Sequence, residues 1–343
     1  MAEKFSIRNI LIILLVLLMF YLAYKVIDIV LILFASYVLS CSFNPIVDKL
    51  QEKKIPREIG TALVLLLTII AILIFLAPAL VVGIKELIQF LIDLPSIIHA
   101  FSTFLDNTKI GSFILGKYID LSQLSVNTAN LTNNIISNIK SFTFALAQWV
   151  TVFIAVVIIT YYWVANREKF KKSFLMFFPL NIRSKADKIA NNISTQIGGY
   201  IIAQVGVMFA AGLFTGLGLL LLGVKNWFVI GLLTSIFDIV PIIGPIIAGV
   251  IALFMNSSSS PLFMFAIVAV FFIAQWLQNA WARPIVYSKF LDINPVIIVL
   301  ALLIAAKFLG FWGVLLAPAM AAVCCTLVDE LYVKQINNYE ENK

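Results

Sequence analysis

Charge is scarce in this sequence: 12% of its 343 residues are Asp, Glu, Lys or Arg, against about 25% in a soluble globular domain. An ordinary water-soluble fold is thereby excluded. Histidine occurs once, as His99, and cysteine three times, as Cys41 and the neighbours Cys324 and Cys325. Neither a zinc site nor a disulfide framework can be assembled from these, and no metal or cofactor is expected. His99 stands alone in a mixed stretch, where a solvated imidazole is the plain reading, and Cys324-Cys325 reads as small-residue packing. No G-x-x-x-x-G-K-S/T loop occurs, so no phosphate-binding ATPase module of that kind is present. Paired aspartates in apolar segments, a Ser-His arrangement and a His cluster are also missing, which argues against an intramembrane enzyme.

What fills the chain instead is apolar: 62% of residues are hydrophobic and mean hydropathy is +1.05. A spanning helix needs about 20 apolar residues, so the length suits an all-α polytopic membrane protein of about eight segments, with no large soluble domain. The excess of 24 Lys and Arg over 17 Asp and Glu fits loops on the cytoplasmic side of a bilayer. Membrane lipid is the expected partner, and nucleic acid is not.

Along the chain, apolar blocks at 10–24 and 26–42 are separated only by Lys25. This spacing predicts an uncleaved helical hairpin with Lys25 and Asp28 at its tip, and a third span over 59–83 completes an N-terminal unit of 1–83. Between them, Lys49, Lys53, Lys54 and Arg57 mark a cytoplasmic strip by the positive-inside rule. Residues 84–141 predict amphipathic helices on the outer surface. A fourth span over 142–165 ends in Tyr161-Tyr162-Trp163, an aromatic cluster suited to headgroup depth, and leads into a basic cytoplasmic loop that closes a unit of 142–195. That loop holds Arg167, Lys169, Lys171, Lys172, Arg183, Lys185 and Lys188. Four crossings before it give the N-terminus the same side, and the tail at 332–343 is likewise expected inside.

The region 196–331 carries the functional information. A full span, 196–222, is followed by arms at 227–237 and 246–255, each too short to cross a bilayer, with Asp238-Ile-Val-Pro241-Ile-Ile-Gly244-Pro245 between them. After the span 262–282 the arrangement recurs, with arms at 295–308 and 314–328 around Gly310-Phe-Trp-Gly313. Broken backbone at membrane depth needs a cavity or an interior contact to satisfy its freed polar groups. Short, interrupted segments in corresponding positions of two repeats point to a transporter's binding site. Re-entrant hairpins in an inverted repeat and plain spanning helices both fit this pattern, and hairpins leave two more positive charges inside.

Within this core, Asp238 is the first candidate, because an ionisable group in apolar sequence is a functional site by default. The candidate substrate- or ion-binding set adds the break residues Pro241, Gly244, Pro245, Gly310 and Gly313, the amides Gln204, Gln275 and Asn279, and the cations Arg283 and Lys307. Gln275, Gln278 and Asn279 share one helical side, as donors for a solute or as interhelical glue. Lys307 reads either as a partner for Asp238 or as a snorkelling side chain.

Asn44-Pro45-x-x-Asp48-x-Leu50 with Ile55-Pro56-Arg57, Tyr200-x-x-x-Gln204, Asp238-x-x-Pro241-x-x-Gly244-Pro245, Asn279-x-x-x-Arg283-Pro284, and Asn294-Pro295 leading to Gly310-x-x-Gly313 with Ala317-Pro318 together resemble the AI-2E transporter family, the autoinducer-2 exporter family. The resemblance runs from about residue 8 to 330. It implies a bacterial cytoplasmic membrane protein, homo-oligomeric and pentameric, that exports a small polar solute. Family members have also been linked to sodium/proton exchange and to sporulation. Asn294 stands where a histidine usually precedes the proline, so no histidine role carries over. The primary expectation is a secondary transporter, a non-enzyme, driven by an ion or solute gradient. The alternatives are a Na+/H+ antiporter and a sporulation or envelope scaffold without transport.

Overall fold

The structure is a computed structural model, and it describes residues 7–75, 77–78, 81, 85, 139–240, 243–256, 260–287 and 295–334. The outer amphipathic segment read over 84–141 falls almost wholly outside the described residues, as do His99 and Pro241. Among the described residues regular structure is helix alone, so the all-α reading holds. The helices are α1 (Ile7–Glu52), α2 (Arg57–Phe75), α3 (Ile139–Ala165), α4 (Arg167–Met176), α5 (Arg183–Leu221), α6 (Trp227–Phe237), α7 (Ile243–Met255), α8 (Pro261–Leu277), α9 (Arg283–Tyr287) and α10 (Pro295–Val328).

Among the described residues six helical stretches are long and apolar enough to cross a membrane: Lys25–Glu52, Arg57–Phe75, Gln148–Ala165, Arg183–Leu221, Leu262–Val286 and Val296–Val333. By length alone the last counts as one rod, yet Gly310 inside it has φ 57° and ψ −136°, a conformation that belongs almost only to glycine. A Cβ built on Gly313 would lie 2.0 Å from the carbonyl oxygen of Ala305, whereas residues eight apart in a straight helix stand about 12 Å apart. The chain therefore doubles back at Gly310, and α10 is two arms.

The first correction to the sequence reading concerns the start. Where a hairpin is expected at Lys25, α1 runs unbroken for 46 residues, about 69 Å at the helical rise per residue. Nothing between 10 and 42 is a glycine or proline, and a single lysine and aspartate do not break a helix ladder. A topology that returns the chain through a turn at Lys25 loses its turn. The basic loop also differs: α4 and the polar first turns of α5 make most of 167–195 helical.

The described chain forms two compact units. One comprises 1–62, 150–198 and 299–343. In it α1 buries Leu31, Ala35, Val38 and Val47 with the small polar residues Ser36, Ser40 and Ser42, which allow close helix contact. A Cβ on Gly198 of α5 would meet the Cys41 carbonyl at 2.4 Å, so the two backbones touch and only glycine fits. Thr160 of α3 donates to the Ser36 carbonyl at 3.3 Å. At one end of the unit, Arg57 donates to Asp48 at 2.6 Å, to Asn44 at 2.8 Å and to the Val164 carbonyl at 2.8 Å, and Arg167 donates to Asp48 at 3.1 Å. This clasp holds the α1–α2 turn and the α3–α4 turn together on one face. Asn192 donates to Glu330 at 3.0 Å, and Thr326 donates to Gln196 at 3.0 Å, which fastens the last arm of α10 to α5.

The other unit comprises 63–149 and 199–298. Its core is Leu219, Val224, Ile230, Ala248, Ala252, Ile267 and Phe271, drawn from the end of α5 and from α6, α7 and α8. Gly212 and Gly216 of α5 lie against the Gly231 backbone of α6, a small-residue crossing that brings α6 close to α5. Ser260 caps α8 by accepting from the Phe263 amide at 3.3 Å, with Pro261 at the first position, the arrangement expected at a helix start.

Candidate functional site

The site is built on the reversal between α6 and α7, which lie side by side as a pair of apolar arms. A Cβ on Gly244 would stand 1.9 Å from the Phe237 carbonyl, so the close return of the chain requires glycine there. Asp238 ends α6 at this turn and is 0% exposed. The main-chain carbonyls of a helix's last turn lack intrahelical partners, and Gln204 of α5 supplies one by donating to the Asp238 carbonyl at 2.8 Å.

The side chain of Asp238 is met from α8 and α9. Gln278 Nε2 donates to Asp238 Oδ2 at 2.6 Å, and Gln275 Nε2 donates to Gln278 Oε1 at 2.9 Å. Arg283 Nη2 lies 3.8 Å from Asp238 Oδ1, beyond hydrogen-bond reach. Asp238 Oδ1 and Arg283 Nε are both buried and, among the described residues, have no hydrogen-bond partner. The pair is thus an ion pair left open, in a setting where full pairing is the rule for buried charge.

A widened turn makes this convergence possible. Residues Gln278–Ala282 are π-helical, and the Arg283 amide donates to the Gln278 carbonyl five residues back. An α-helix would place those two side chains about 140° apart at 3.6 residues per turn, whereas an i to i+5 bond stacks them on one side. Such π-turns cluster at functional sites.

Of the residues picked out by sequence, the structure brings Asp238, Gln204, Gln275 and Arg283 into one network, with Gly244 and a buried Pro245 forming the turn beneath it. Gln278, grouped with its neighbours in sequence but left out of the candidate set, is the direct partner of the carboxylate and is fully buried. Asn279 is exposed and, among the described residues, does not join the network. Lys307 is exposed on α10, and the cation that faces Asp238 among the described residues is Arg283. Gly310 and Gly313 form the second reversal, in the unit that holds 299–343. The clasp of Asp48, Arg57 and Arg167 was hidden in a stretch that reads as an interfacial polar strip.

Chemically, the open pair offers an acceptor and a donor side by side, flanked by amides. It can take a hydroxylated solute, whose hydroxyl donates to Asp238 Oδ1 while its oxygen accepts from Arg283, or a cation or proton on the carboxylate.

The sequence pattern described as AI-2E family transporter matches residues 10–333. The chain is 28% identical over 316 residues, 88% of its length and 84% of the relative's, to a Bacillus subtilis (strain 168) protein named "Putative transport protein YueF". It is 23% identical over 294 residues, 81% of this chain and 84% of the other, to "Putative transport protein MJ1177" of Methanocaldococcus jannaschii. With "Putative permease PerM" of Escherichia coli (strain K12) it shares 22% identity over 284 residues, 80% of this chain and 79% of that one. A match over nearly the whole chain, on a helical fold with several membrane-length segments, makes this a multi-pass membrane protein belonging to the AI-2E transporter family.

Proposed function

We propose that this protein is a secondary transporter that exports a small polar solute such as autoinducer-2, driven by an ion or solute gradient, with the break at Asp238 as its binding and coupling site. The observation that carries this reading is the buried, open Asp238–Arg283 pair, at 3.8 Å, set in the turn of two apolar arms too short to span a bilayer. An unmet carboxylate oxygen in such surroundings is costly unless something visits it. Gln278, Gln275 and Gln204 hold its geometry, and Arg283 completes it. The α6–α7 pair and the two arms of α10 act in this reading as re-entrant hairpins of an inverted repeat.

The face bearing Lys53, Lys54, Arg57 and the 167–188 basic residues is cytoplasmic by charge. The last arm of α10 is fastened to the α5 segment that follows this loop, which supports a cytoplasmic C-terminus in the cell's inner membrane. Homo-oligomers such as pentamers are part of the same reading, drawn from the family. A Na+/H+ antiporter is the second reading, favoured by the buried Asp238 Oδ1, which accepts no hydrogen bond among the described residues and suits a cation or proton.

Purified protein in proteoliposomes decides between them. Accumulation of autoinducer-2 against its gradient, on imposing a sodium or proton gradient, is the expected result. Sodium-dependent dissipation of a pH gradient without any solute supports the antiporter, and no flux of either kind under any gradient contradicts transport by this site.

A further inference from the structure

The link from α3 into α4 carries a surface that neither the transport site nor the clasp uses. The candidate span ends at Ala165 and α4 begins at Arg167, so a single residue separates membrane-length helix from α4, and Tyr161-Tyr162-Trp163 precedes it at headgroup depth. Connectivity thus holds α4 at the bilayer surface. None of its residues is buried. Phe170, Phe174 and Met176 are 42%, 51% and 70% exposed, and Phe177 and Leu180 just beyond are 87% and 80% exposed. Phe170 and Phe174, four apart, share one side of the helix; at 3.6 residues per turn Lys169 stands about 100° round from Phe170 and Lys172 lies on the opposite side with Glu168, and both lysines are exposed.

The remaining charges nearby are spoken for. Arg167 pairs with Asp48 at 3.1 Å, and Lys171 with Asp187 at 2.8 Å, which orients α4 with that side against its own unit. Arg183 donates to the Phe178 carbonyl at 3.1 Å and closes the loop. Among the described residues no ion pair is found for Lys169 or Lys172, and Glu168 is the one acidic residue on α4. Phe170 rests on Trp163, with ring centroids 4.7 Å apart, and the exposed Phe174, Phe177 and Leu180 beside lysines without an ion pair are the composition of a helix lying in the plane of an anionic leaflet. A water-facing role would leave Phe177 and Leu180 as an unexplained apolar patch.

We propose that residues 167–182 form an interfacial anchor that binds anionic phospholipid of the leaflet in which the protein sits. Phe174, Phe177 and Leu180 enter the boundary between headgroups and acyl chains, Lys169 takes lipid phosphate at the flank, and Lys172 on the polar side adds positive charge near the anionic surface.

The test uses the full chain with Cys41, Cys324 and Cys325 replaced by alanine, and the exposed Phe177→Cys labelled with an environment-sensitive fluorophore. The labelled protein is reconstituted into bilayers of phosphatidylcholine with phosphatidylglycerol. Blue-shifted emission is expected, quenched by brominated lipid and more strongly by brominated phosphatidylglycerol than by brominated phosphatidylcholine. Lys169→Gln and Lys172→Gln should each lower that preference about fivefold, the attraction of one basic residue to an anionic surface. A Glu168→Cys label on the polar side should be quenched less. Water-like emission unmoved by brominated lipid overturns the proposal. Blue-shifted emission that brominated lipid does not quench also overturns it, because the face is then covered by protein, and equal quenching by both lipids overturns the anionic preference.

Discussion

The two chain reversals use one backbone device for different ends. At 238–244 and at 305–313 a glycine lies hard against a carbonyl seven or eight residues earlier, Gly244 on Phe237 and Gly313 on Ala305, and no larger residue fits. The first reversal then buries a carboxylate and gathers Gln204, Gln278 and Arg283 about it. The second is chemically quiet: Gly310 takes the left-handed turn, Ala317, Ala319, Ala321 and Ala322 are buried in the arm that follows, and the nearby Lys307 is exposed. Sequence symmetry in the break therefore does not entail symmetry of function. In the proposed transporter the charge gives coupling to the first turn and leaves the second to packing.

The largest expected effect separates the two turns most sharply. Asp238→Asn keeps the shape and one acceptor for Gln278, and it should abolish gradient-coupled flux in proteoliposomes while the amount of protein in the membrane stays normal. Normal flux in that variant would remove the distinction between the reversals. Next, Arg283→Gln leaves Asp238 buried without its cation. Breaking such a pair costs on the order of 3 kcal/mol, seen as a lower thermal midpoint in detergent, and Asp238→Asn added to Arg283→Gln should recover the midpoint but not the flux.

Backbone variants should treat the two turns alike. Gly244→Ala drives a methyl into the Phe237 carbonyl, and Gly310→Ala forces a side chain into a glycine conformation, so each should destabilise by about 1–3 kcal/mol in the same thermal assay. A silent Gly310→Ala would show that the second reversal is not needed. The smallest effects are expected from Lys307→Gln and Asn279→Ala, both exposed, each within about 0.5 kcal/mol in stability and without change in flux.

Much of this was legible in the chain before any coordinates. Apolar runs gave the helices, and Gly-Pro punctuation in 238–245 and glycines in 310–313 marked both reversals, because a break in apolar helix leaves a compositional trace. Asp238 stood out through its cost in such surroundings. The set around that carboxylate was not fully legible, since Gln278 and Arg283 share one side only through a π-turn that adds one residue to a helical turn without any sequence signature. The continuity of α1 through Lys25 was missed for the opposite reason: a charged pair in an apolar run suggests a turn, but helix propensity permits lysine and aspartate, and no glycine or proline forces a stop. The clasp of Asp48, Arg57 and Arg167 joins residues 119 positions apart, a distance no local pattern reports.

The most direct test of the central claim is access to the first turn. In a chain freed of its native cysteines, Val240→Cys, two residues beyond Asp238, is exposed in the membrane to an impermeant thiol reagent, with and without the transported solute. The account predicts labelling from at least one aqueous side and protection by solute that disappears in the Asp238→Asn background. Labelling at the same rate with and without solute, or none from either side, would contradict a solute route through Asp238.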